Sequence, residues 1–103
     1  MKRPVVYSKR AEADFVSIYR YIAANSGYER ALAYTARIRA FCVSLETFPE
    51  RGEPWKHVAS GLRVVGFERR VSIAFRVTKD QVAIARVLYG GRELNRALEQ
   101  GSK

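Results

Sequence analysis

Two apolar stripes at helical spacing, parted by one short break, constrain this chain more than any other feature. Ala11, Phe15, Ile18 and Ile22 recur every three or four residues, and so do Ala31, Tyr34, Ile38, Phe41, Leu45 and Phe48. Ser8 stands before the first stripe as an N-cap, with Glu12 and Asp14 early enough to favour the helix dipole. Asn25-Ser26-Gly27 stops the first helix, and Phe48-Pro49 ends the second. A linker of two or three residues obliges two such helices to lie antiparallel as a hairpin.

Outside the hairpin the period shortens. Val5-Val6-Tyr7, held between Pro4 and Ser8, reads as a brief first strand. The polar stretch from Glu50 to His57, with Gly52 and Pro54, reads as a loop. Leu62–Val65, Val71–Val77 and Val82–Leu88 read as three strands, and Thr78-Lys79-Asp80-Gln81 closes a hairpin between the last two. Gly90-Gly91 breaks the final strand, and residues 92–98 suggest a short terminal helix. The order β-α-α-β-β-β is an α+β fold: a helical hairpin on one face of a small, mainly antiparallel sheet, one domain over residues 1–103.

Charge narrows the partners. Nineteen Lys and Arg against ten Asp and Glu leave +9, and most of the basic residues are arginines, which suit bidentate contacts with phosphates and carboxylates. The excess lies mainly beyond residue 50, so an acidic partner is favoured. No apolar run approaches the about 18 residues of a membrane span, and Met1–Arg10 returns to charge after three apolar positions, unlike a secretory leader. A cytoplasmic location is the expectation. Cys42 belongs to the second helix as a small core residue, and beside one His57 it builds no metal motif. No cofactor is expected, and no acid/base pair stands out.

With the helices on one sheet face, Ser72, Ala74 and Arg76 should turn to the other. Arg63 and Arg86 interrupt apolar strands and are expected to join Arg76 there, with Arg69 and Arg70 from the intervening turn and Tyr89 and Arg92 at the rim. On the second helix, Leu32, Ala36, Ala40 and Val43 form a line opposite the core stripe, a shallow groove fitted to an amphipathic partner segment.

Tyr7-Ser8-Lys9-Arg10-Ala11-Glu12-Ala13-Asp14, Leu45-Glu46-Thr47-Phe48-Pro49-Glu50-Arg51-Gly52, Gly61-Leu62-Arg63, Phe75-Arg76-Val77 and Val87-Leu88-Tyr89-Gly90-Gly91-Arg92-Glu93-Leu94 follow one another over almost the whole chain. In this order they resemble the ParE toxins of the RelE/ParE superfamily, the toxin half of type II toxin–antitoxin pairs. The resemblance implies a non-catalytic inhibitor of DNA gyrase, with Arg63, Arg70, Arg76, Arg86, Tyr89 and Arg92 facing the target. It also implies a hetero-oligomer with a cognate acidic antitoxin, received by Leu32, Ala36, Ala40 and Val43 or by an open sheet edge. The superfamily's other activity, ribosome-dependent mRNA cleavage, would fall to Arg63, Arg86 and Tyr89. Between Arg51 and Arg76 the only lysine is Lys56, which departs from the lysine cluster of the nuclease members. Tyr89 stands where many ParE sequences have histidine.

Overall fold

Ser8 ends the first strand and starts the first helix. Its backbone N–H donates to the Ile84 carbonyl at 3.0 Å, its hydroxyl donates to the Ala85 carbonyl at 2.8 Å, and its Oγ accepts the Ala11 N–H at 3.0 Å. One residue thus satisfies an orphan donor of the helix and ties the helix start to the sheet. In this computed structural model, which describes residues 3–90, it joins β1 (Val5–Tyr7) to α1 (Lys9–Ser26).

Gly27 alone separates α1 from α2 (Tyr28–Ser44), at φ 95°. Its N–H donates to Ala23 and its carbonyl accepts from Ala31, so it closes one helix and opens the next. A side chain at that φ would be strained, which is why the break is a glycine. The stripe Ala11, Phe15, Ile18 and Ile22 is buried, as are Ala31, Ile38 and Leu45, with Cys42 beside them. Phe48 departs from expectation: α2 stops at Ser44, short i→i+3 bonds turn residues 45–47, and Phe48 is 63% exposed.

β2 (Glu53–Pro54), β3 (Leu62–Phe67), β4 (Val71–Val77) and β5 (Val82–Tyr89) complete a five-stranded sheet in the order β1-β5-β4-β3-β2. β1 runs parallel to β5, and the other pairs are antiparallel. The expected α+β arrangement is present, with a two-residue edge strand, β2, inside the stretch read as loop. The terminal helix expected over residues 92–98 lies outside the described residues.

Val71, Ile73 and Phe75 of β4 with Val82, Ile84 and Val87 of β5 pack against the hairpin and form the main core. A side chain the size of Ile38 or Phe75, fully buried there, contributes about 1.5–3 kcal/mol. The opposite face is not left bare, contrary to expectation. Leu62, Val64 and Ala74 form a second cluster, covered by Trp55, Val58 and Ala59 from the β2–β3 connection and by Leu88. The apolar residues of β3 serve both faces, so a second layer is required to keep Leu62 and Val64 from water.

Candidate functional site

The arginines do not gather on one platform. Arg63 pairs in register with Phe75, a residue that faces the helices, so it lies on the hairpin side rather than the open side. Its Nε donates to the Arg51 carbonyl at 3.0 Å and a terminal nitrogen to the Gly52 carbonyl at 3.2 Å. Arg63 therefore fastens the chain that follows α2. Gly52, at φ 75°, approaches so closely that a Cβ would sit 2.1 Å from the Val64 carbonyl oxygen.

Arg86 is also engaged internally. Its Nε and a terminal nitrogen each lie 2.9 Å from an oxygen of Asp14, which further accepts the Val87 N–H at 2.8 Å. The hydrogen bond to Asp14 holds the guanidinium above its ordinary pKa against the opposing effect of burial. Arg76 is exposed and shares a face with Leu62 and Ala74, as expected. Arg92 lies outside the described residues.

Tyr89 and Arg70 meet on the hairpin side. Tyr89 packs against Tyr21 and Tyr34, with ring centroids 5.6 and 6.1 Å apart. Arg70 is bonded to Tyr89, which together with the nearby phenols raises its guanidinium pKa. Burial pushes the Tyr34 phenol up, helped by Glu68 and Tyr89. These rings and Arg30, Arg37 and Arg70 line an open cavity of about 410 Å³. Sequence reasoning missed it because its residues come from both helices, the β3–β4 turn and the end of β5, and only their aromatic and basic character was visible in advance.

Arg63, Arg86 and Tyr89 do not form one constellation. Along β4 their strand partners are Phe75, Ala74 and Val71, which sets Arg63 and Tyr89 roughly 13 Å apart in the strand direction alone. Among the described residues no cluster of three or more potential metal ligands occurs, and no helix is long and apolar enough to cross a membrane.

The line on α2 is where the sequence put it. Leu32 and Val43 are 50% and 51% exposed, with Ala36 and Ala40 exposed between them. Beside them α1 and α2 form a groove of about 280 Å³ lined by Phe15, Val16, Tyr19, Thr35, Glu12 and Arg39. Arg39 bridges its walls, with its guanidinium 3.9 Å from the Phe15 ring centre and 2.7 Å from Glu12.

The family model of the ParE toxin of type II toxin–antitoxin system, parDE, matches residues 5–94. This chain belongs to the ParE toxin family. Among solved structures, a chain of the chromosomal ParDE TA system from P. aeruginosa superposes with a TM-score of 0.76 at 25% identity, covering 86% of this chain and 97% of that one. A comparison with curated proteins finds no match. The hairpin-on-sheet fold is thus that of a ParE toxin, the toxin component of a type II toxin–antitoxin pair, and the system includes an antitoxin partner.

Proposed function

We propose that this ParE toxin binds and inhibits DNA gyrase in the cytoplasm and is neutralised by an acidic antitoxin segment laid along the outer face of α2. The observation that carries the antitoxin half is the exposed line Leu32, Ala36, Ala40 and Val43. Small residues let a partner backbone approach, and an aliphatic side chain at each end supplies anchors. The +9 charge favours an acidic segment and speeds its encounter.

For the target half, Arg76, Arg70 and Tyr89 are the contact residues among those described. Arg63 and Arg86 support them by holding the fold. The gyrase target itself rests on family membership. Purified toxin assayed for inhibition of supercoiling and accumulation of cleaved DNA, beside a translating-ribosome assay for mRNA cleavage, tests the target. Cleaved mRNA with unaffected gyrase overturns it. Leu32→Glu with Val43→Glu should weaken antitoxin binding about tenfold or more while gyrase inhibition persists. Gyrase inhibition lost with antitoxin binding intact would exchange the two surfaces.

A further inference from the structure

The cavity between the hairpin and the end of β5 includes Arg70 and Tyr89, proposed above as target contacts, and its lining also suits a small ligand. Three tyrosine rings and three arginines line it, and no acidic residue does. The rings are tilted by 52° for Tyr21–Tyr89 and 82° for Tyr34–Tyr89, so they do not stack flat on one another. Tyr21 is 57% exposed and retains an accessible ring for a planar ligand.

Two further features concern polar groups and backbone. The Tyr34 hydroxyl is buried without a hydrogen-bond partner among the described residues, a donor and acceptor left for something else to satisfy. Arg70 follows Glu68 and Arg69, two non-glycine residues at φ 52° and 62°. A two-residue hairpin turn of this kind sets both central residues at positive φ. Its result here is to set Arg70 beside Tyr89 while the Gly90 N–H donates to the Arg70 carbonyl at 2.8 Å. Glu68 pairs with Arg37 at the exposed rim, leaving Arg30 and Arg70 as the further cationic groups of the cavity.

We infer that this cavity binds a nucleotide unit, its base against the tyrosines and its phosphate between Arg30 and Arg70. Aromatic faces accept any base, and guanidinium groups match phosphate oxygens bidentately. The volume lies in the usual range for small-ligand sites. An acidic peptide would satisfy the cations, but the lining offers only Ile22 and Ala33 as aliphatic contacts. The unit could be a free mononucleotide or belong to an unpaired strand, since both present the same ring and phosphate.

The test is titration of the full chain with adenosine monophosphate, inorganic phosphate and a fluorescent ten-residue oligothymidylate. Tyr21→Leu and Arg70→Gln should each weaken adenosine monophosphate about tenfold. Lys79→Gln, which removes the same charge from the distant β4–β5 turn, should leave it unchanged. Phosphate alone should compete more weakly. Parallel losses for the oligonucleotide place a strand in the cavity, and binding of the mononucleotide alone places a free ligand there; either supports the inference. It is overturned if no nucleotide binds, if Lys79→Gln weakens binding as much as Arg70→Gln, or if a glutamate-rich peptide binds this cavity while nucleotides do not.

Discussion

Arg86 grips Asp14 through two nitrogens at 2.9 Å, joining positions 72 residues apart in the chain. β1 pairs with β5 only as far as Ile84, and beyond it β1 gives the β5 edge no further strand pairing. The Asp14 carboxylate covers that edge by accepting the Val87 N–H as well. Both side chains are nearly removed from water, at 14% and 13% exposure. Removing one partner breaks a nearly buried ion pair and costs about 3–5 kcal/mol. Asp14→Ala should therefore lower the free energy of unfolding in urea by that amount, and Arg86→Ala should behave alike. Loss of toxicity in either variant would then follow loss of fold. A change below about 1 kcal/mol, the value of an ordinary surface pair, would show that the contact does not secure the edge.

The same pair explains which parts of the molecule were legible in advance. The hairpin was readable because Ala11, Phe15, Ile18 and Ile22 repeat one short-range period, and burial follows it. Val71, Ile73 and Phe75 were readable because β4 alternates cleanly. Arg63 was misplaced because Leu62-Arg63-Val64-Val65 has no clean alternation, and only the register against Phe75 fixes its face. Arg86 differs for another reason. An irregularity at Ala85 leaves it in register with Ala74, on the face expected of it, but the short β1 leaves the β5 edge open to α1, and Asp14 binds the guanidinium there. Neither the bulge nor the missing neighbour leaves a local sequence signal. The line from Leu32 to Val43 was legible because one helix carries all of it, whereas the tyrosine cavity needs several elements brought together.

The β3–β4 turn holds removable strain. Phe67 accepts the Arg70 N–H at 3.2 Å across Glu68 and Arg69, both in the left-handed region. A two-residue turn of this kind favours Asn-Gly, and left-handed backbone costs an ordinary residue roughly 1–2 kcal/mol. The change also removes the exposed Arg37–Glu68 pair, worth about 0–1 kcal/mol. The double variant Glu68→Asn, Arg69→Gly should gain about 1–2 kcal/mol in urea unfolding. An unchanged or lower midpoint would mean that the two side chains contribute more than the backbone loses.

Alkaline pH should weaken the fold through two neutral groups under the hairpin. Burial, then the neighbouring Cys42, pushes the Tyr7 phenol from 10.0 up to about 12, and burial pushes the Cys42 thiol from 9.0 up to about 11. Both shifts favour the protonated form in the folded state. Below pH 9 both groups are protonated, folded or unfolded, and their contribution is fully present. As pH rises, the unfolded chain loses these protons first and stability falls with it. The decline begins near pH 9 with Cys42, continues above pH 10 with Tyr7, and ends near pH 12. Urea midpoints for the parent chain should be level from pH 7 to 9 and fall beyond. Tyr7→Phe should remove the later part of the fall, and Cys42→Ala the earlier part, after each is normalised to its own value at pH 8. Iodoacetamide should label Cys42 slowly at pH 8 in the folded protein and rapidly in urea, since the thiol is buried. If the double variant Tyr7→Phe, Cys42→Ala loses stability above pH 9 as steeply as the parent, the titration responsible lies elsewhere in the molecule.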